Sequence, residues 1–276
     1  MLDASSNQSV RDIVERLQRR IRVARGEDPG DLLLSGGQVV NVFTQRIEPA
    51  NVVLVGGYIA GVGPFDWPAR ETIDVSGQTL LPGLIDAHMH LESTLLCPAE
   101  FARLVVPHGT AAVVADPHEI GNVLGVPGIE MILAASAGLP LDFFYMASPC
   151  VPCTAWEHAG ATLGADEIAA LLNQPQILGL AEVMDFPAVL TGGEQVLSKV
   201  AAALRRGAAV DGHAPGVMGR DLVAYAAAGV RADHESSTAE EARQKAALGM
   251  LVQVREGSVA RNLETLLPLI VDSTLL

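Results

Sequence analysis

Aromatic side chains make up only 4% of the 276 residues, cysteine occurs three times, and 18 Lys and Arg stand against 32 Asp and Glu. Each scarcity excludes something. A formal charge of −14 argues against a nucleic-acid or anionic-membrane surface, both of which need clustered basic residues. No run of about 18 uninterrupted apolar residues exists, so no membrane-spanning helix is expected. Met1 to Arg22 is polar and charged, without the apolar core of a signal peptide. An odd number of cysteines suggests a reducing compartment rather than a disulfide framework, so a cytoplasmic location is expected. Cys150-x-x-Cys153 has no second pair to make a zinc knuckle, and it reads chiefly as structural.

What is abundant is Ala, Val, Leu and Gly, within a chain that is 49% hydrophobic. That texture fits an α/β protein with buried parallel strands, long enough for a large domain or a domain plus a smaller one. Residues 9–25 place Val10, Ile13, Val14, Leu17 and Ile21 at helical spacing, which predicts an amphipathic helix packed on a neighbour. Asp31 to Val40, Asn51 to Val62 and Glu71 to Val75 read as strands, with Gly36-Gly37 and Gly56-Gly57 as turns of hairpins. Residues 1–78 are therefore expected to form an N-terminal helix and a small β domain.

From residue 79 to 276 the pattern becomes strand, loop, helix, repeated. The first strand ends at His88 and His90. Further apolar runs follow at Ala111–Ala115, Phe143–Met146, Ile177–Glu182, Ala208–His213, Gly229–His234 and Met250–Arg255. Helical segments lie between them, at Pro127–Ala137, Ala165–Leu172, Glu194–Arg206, Arg220–Ala228 and Thr238–Ala247. Such alternation predicts parallel strands with right-handed crossovers, in a doubly wound sheet or a TIM-type barrel. Chemically able residues at nearly every strand end favour the barrel.

Those strand ends carry His88 and His90, then Asp116-Pro-His-Glu119, Glu182, Asp211-Gly-His213, Asp233-His-Glu235 and Arg255-Glu-Gly257. In a strand alternate side chains share a face, so His88 and His90 point the same way. Four imidazoles and one carboxylate can hold two divalent ions, with Glu182 bridging and a shared water activated for hydrolysis. Neutral His with carboxylate suits zinc, manganese or iron better than calcium. The blander alternative makes His213 and His234 core histidines satisfied by backbone groups.

Pro82-Gly-Leu-Ile-Asp-Ala-His-Met-His90 resembles the first-strand signature of the amidohydrolase superfamily. His90-Leu-Glu-Ser93, Asp116-Pro-His-Glu-Ile-Gly-Asn-Val-Leu-Gly125, Ser148-Pro-Cys-Val-Pro152 and Gly179-Leu-Ala-Glu-Val-Met184 narrow the resemblance to its bacterial adenine deaminases. So do Asp211-Gly-His-Ala-Pro215, Asp233-His-Glu235 and Arg255-Glu-Gly-Ser258. These motifs occur in family order from about residue 20 to 270. The resemblance implies that His88, His90, His213 and His234 are metal ligands and that Glu182 is the bridging carboxylate. The cofactor would be two divalent ions, manganese or iron, with zinc as a further option. The reaction would be hydrolytic deamination of adenine: hydroxide attacks C6, ammonia leaves, and hypoxanthine results. Glu92, His118 and Glu119 are candidates for contacting the purine or moving protons, Glu119 as the catalytic group and Glu92 and His118 as substrate-binding. A homo-oligomer in purine salvage is also expected.

One departure from the family stands out. The superfamily completes its site with an aspartate after strand eight, and Asp272 follows too closely on the preceding helix to fill that place. The fold expected is therefore an incomplete TIM-type (β/α)8 barrel of about seven strands, with activity impaired by the missing aspartate. Another cyclic amide or amine hydrolase of the superfamily, or a non-catalytic remnant, are the competing readings.

Overall fold

The computed structural model describes residues 9–271, so Asp272 lies outside the described residues. The chain divides between Pro82 and Gly83 into two compact units.

The first unit opens with helix α1 (Val10–Ala24), started by a reciprocal cap in which Ser9 and Asp12 bond each other's backbone N–H. The strands β1 (Gly30–Ser35), β4 (Asn51–Val55), β5 (Tyr58–Gly63) and β6 (Ala69–Asp74) form one sheet in the order β5-β4-β1-β6; β2 (Gln38–Asn41), β3 (Arg46–Pro49) and β7 (Thr79–Leu80) form a second, ordered β3-β2-β7. Gly56 and Gly57, both at positive φ, make the two-residue turn between Val55 and Tyr58 that the sequence predicts. Gly36-Gly37 does something else. Rather than closing a hairpin, it sends β1 and β2 into different sheets, and β1 instead pairs β4 antiparallel and β6 parallel. The core of this unit is Val23, Leu33, Val53, Val55 and Trp67. Only Val23 of α1 is buried; Val10, Ile13, Val14, Leu17 and Ile21, the apolar face expected to pack, all stay exposed.

The second unit is a parallel sheet alternating with helices. Its strands β8 (Leu84–Met89), β9 (Thr110–Ala115), β10 (Asp142–Ala147), β11 (Ile177–Val183) and β12 (Ala209–Gly212) stand side by side in chain order, all parallel. The remaining two, β13 (Ala232–Asp233) and β14 (Leu251–Val252), pair with each other in parallel. All seven strands expected after residue 79 form, as a curled half-barrel of five followed by a pair. The connecting helices are α2 (Pro98–Val105), α3 (His118–Leu124), α4 (Val126–Ala135), α5 (Ala165–Leu171), α6 (Phe186–Leu190) and α7 (Glu194–Arg205). They continue with α8 (Gly219–Ala227), α9 (Ala239–Ala247) and α10 (Leu263–Val271). Of these, α2, α3 and α6 are not among the helical segments read from the sequence.

The main core lies between the sheet and these helices, from Phe101 and Val113 through Ile129, Leu180 and Val200 to Tyr225 and Met250. Close approach is imposed at Gly179 of β11, where a Cβ would meet the Ala209 carbonyl oxygen at 2.3 Å. An alanine there would push β12 away, which explains why this strand needs glycine in an otherwise branched apolar run. The result is that the C-terminal ends of the five strands β8 to β12 are held side by side at fixed spacing.

Candidate metal centre

Glu182, one residue before the end of β11, is 2% exposed, and four imidazoles surround it. Its Oε1 lies 3.2 Å from His88 Nε2 and 2.9 Å from His90 Nε2. Its Oε2 lies 2.6 Å from His213 Nδ1 and 3.4 Å from His234 Nε2. Each carboxylate oxygen thus faces two histidines. Strand alternation brings His88 and His90 together at the end of β8, while His213 and His234 each follow the last residue of a short strand, β12 and β13.

These groups are close without satisfying one another. His88 Nε2 and His90 Nε2 face each other at 3.2 Å, where at most one can donate. Glu182 Oε1, His213 Nδ1 and both ring nitrogens of His234 are buried with no hydrogen-bond partner. Buried polar atoms are ordinarily paired, so a convergent set of unpaired ligand atoms fits a cation. Ligand atoms of Glu182, His213 and His234 lie within 4.8 Å of one another, as do those of His88, Asp211 and His234. A third such group is His90, Asp116, His118 and Glu182.

The electrostatics follow from this crowding. Burial alone would raise the Glu182 pKa, but the imidazoles of His213, His234, His88 and His90 hold it well below the ordinary carboxylate range. Burial works against a charged His88, yet the Asp211 and Glu182 carboxylates outweigh it and lift its pKa to about 9. For His90 burial is likewise overcome, by Glu119 and Glu182, and the pKa rises to about 11.

Beside this cluster, α3 presents its first turn. Glu119 Oε2 lies 3.6 Å from His90 Nδ1 and 3.9 Å from His118 Nε2, and Glu119 Oε1 accepts from the Ser93 hydroxyl at 3.2 Å. Burial pushes Glu119 towards the neutral acid, but His90 and His118 reverse that and keep it ionised. His118 Nδ1 is 3.2 Å from Asp116, whose other oxygen accepts a short bond from Ser148. Glu92 accepts from the Ile120 N–H at 3.0 Å, which anchors α3; its Oε2 is buried without a partner, and burial raises its pKa. All eight residues expected at the site therefore gather around the strand ends, four about Glu182 and three on or under α3. A cleft of about 640 Å³ opens over His88, His90 and His234, lined also by Ser93, Arg255 and Glu256.

The amidohydrolase family model matches residues 79–267, most of the chain. The chain belongs to the amidohydrolase family. It is 49% identical over 258 residues to an adenine deaminase of Dehalococcoides mccartyi, covering 94% of this chain and 45% of that protein. It is 47% identical to adenine deaminase 2 of Carboxydothermus hydrogenoformans, covering 94% of this chain and 44% of the relative. The chain thus spans less than half the length of the curated relatives it matches. Among solved structures, N-acyl-D-glutamate deacylase from Bordetella bronchiseptica, complexed with zinc, aligns with a TM-score of 0.58 at 17% identity, covering 82% of this chain and 58% of that one. A D-hydantoinase aligns with the same TM-score at 16% identity, covering 81% and 56%. At such identities the likeness is one of fold.

In this amidohydrolase further residues of the site stand in the strand-end blocks without a role that the sequence assigns, or lie outside those blocks altogether. Asp211 Oδ2, 3.3 Å from His88 Nδ1, orients that ring as a carboxylate partner. Glu235 Oε1 lies 3.7 Å from both His213 Nδ1 and His234 Nε2 and pairs with Arg255 at 2.6 Å. Both acids belong to strand-end blocks, Asp211 two residues before His213 and Glu235 next to His234. Tyr225 of α8 carries no such signal. Its hydroxyl donates to the Val183 carbonyl at 2.7 Å and accepts from the His213 N–H at 3.1 Å, tying the ends of β11 and β12.

Proposed function

We propose that this amidohydrolase chain carries the metal-holding part of an adenine deaminase. The reaction is adenine plus water to hypoxanthine plus ammonia, in cytoplasmic purine salvage. The observation that carries the reading is the two-and-two division of four imidazoles over the oxygens of Glu182. On it, His88, His90, His213, His234 and Glu182 are the residues that would hold two divalent ions. Manganese or iron is the preferred metal, with zinc able to substitute in the same donor set. When bound, such ions supply Lewis acidity that brings the pKa of water from 15.7 towards about 7.

The remaining steps fall to the chain's own groups. Asp211 fixes the His88 ring so that its Nε2 is available. Glu119, ionised beside His90 and His118, takes one proton from the attacking water on Oε2 and gives it to ring N1, then takes the second from the new C6 hydroxyl and gives it to the amine, which leaves as ammonia. Glu92 and His118, held to α3 and Asp116, contact the ring and limit which heterocycle fits. Arg255, anchored by Glu235, lines the cleft above them. Support for adenine over other cyclic amides comes from the relatives named adenine deaminase and from the Asp116–Gly125 and Arg255–Ser258 blocks.

The test is to load the purified chain with manganese or iron, present adenine, hydantoin and dihydropyrimidines, and follow ammonia together with hypoxanthine. Hypoxanthine from adenine alone is the expected product. Ammonia or ring opening only from the cyclic amides would reassign the substrate and leave the metal centre standing.

A further inference from the structure

Lys245 of α9, without solvent exposure, has no place in the chemistry above. Its ammonium uses all three donors: to Asp233 Oδ1 at 2.6 Å, to Glu241 Oε1 at 2.8 Å and to the Ala214 carbonyl at 3.0 Å. Asp233, also fully buried, accepts from Ala214 N–H at 2.8 Å and from Glu235 N–H at 2.9 Å. Glu241 accepts from Gly216 N–H at 2.9 Å and Ser237 N–H at 3.1 Å. One ionic hub on α9 therefore grips the backbone directly after His213 and directly after His234.

The sheet does not do this itself. Between β12 and β13 there is no ladder among the described residues: β13 pairs only with β14, and the backbone bond joining the two neighbours is Arg231 N–H to the Val210 carbonyl at 3.0 Å, at their far end. At the end that carries the histidines, Asp233 and Lys245 take the place of strand pairing.

We infer that Lys245, with Asp233 and Glu241, is a positioning device that sets the separation of His213 and His234 and so tunes metal binding at Glu182 Oε2. This rests on the metal-centre reading above. A buried lysine between two carboxylates and a carbonyl holds its partners at fixed distance, and outer-shell groups of this kind typically govern about 10–100-fold in metal affinity.

The experiment titrates the full 276-residue chain with zinc against a chelating indicator and records the absorption of the cobalt-substituted protein. Three variants are compared with the parent. Lys245→Met should weaken binding at one of two sites by about 10–100-fold and change the cobalt spectrum. Lys245→Met/Glu241→Gln, which removes one charge of each sign, should fold more readily and show the same loss, so poor folding of the single variant does not decide the matter. Lys199→Met is the control: Lys199 is also buried and bonds the Pro149 carbonyl, away from both histidine loops, and its loss should leave both metal affinities as in the parent. A folded double variant with parental zinc affinity and cobalt spectrum overturns the inference alone. A parent chain that binds no metal overturns the metal-centre reading and this inference with it.

Discussion

At the residue scale the site depends on how each imidazole is oriented and charged. Asp211 touches only His88 among the ligands within 3.3 Å, and its other oxygen holds Gly212 N–H at 2.8 Å. Asp211→Asn should therefore keep the fold while reducing metal affinity by about 10–100-fold, read by competition with a chelating indicator. The charge state gives a second expectation, for chelator-treated protein. His88 and His90 have folded-state pKa values of about 9 and about 11, above the 6.5 of an unfolded histidine. Groups raised on folding add stability that is complete below pH 6.5 and is lost as pH climbs through those folded values. The urea midpoint of the ion-free chain should accordingly fall between pH 7 and pH 10. Metal reverses the preference, because ligation needs neutral imidazole; binding at pH 7 should release protons, measurable in weakly buffered solution. The five residues gathered at Glu182 were legible in the sequence because strand-end histidines are rare and their spacing is constrained. Asp211 was legible only as a neighbour, since nothing in sequence says which of two adjacent polar groups turns towards a ring.

Elements decide whether those residues meet. The seven strands of the second unit announce themselves as short branched apolar runs bounded by polar residues, and parallel order follows from the helices between them. What the sequence does not announce is the short helix α3, which brings His118 and Glu119 to the cluster, or the cross-ties from outer helices. Tyr225 is one. Its buried hydroxyl serves the Val183 carbonyl and the His213 N–H together, so Tyr225→Phe leaves two buried groups short of a partner. The expected cost is about 1–3 kcal/mol in urea unfolding. In the first unit the same limit shows differently: Gly36-Gly37 reads as a hairpin turn but serves as a sheet switch, because partner choice depends on β4 and β6, which lie far along the chain. The apolar side chains at helical spacing in α1 establish the helix, yet none of those five is buried, and the one covered side chain is Val23, outside that set.

For the whole molecule, the described residues bring together four histidines, Glu182 and the acids beside them, while no aspartate from an eighth barrel strand joins the cluster among them. General acid–base help is typically worth about 10²–10⁴ in rate. With Glu119 carrying the proton, Glu119→Gln should lower hypoxanthine formation by the metal-loaded chain by that order while metal content stays unchanged.

The claim beneath all of this is that Glu182 is shared between two ions. Elemental analysis of the chain after chelation, reloading with manganese and removal of free metal tests it directly. Two ions per chain in the parent and at most one in folded Glu182→Gln is the result expected. One ion or none in the folded parent, or two retained by Glu182→Gln, would contradict it.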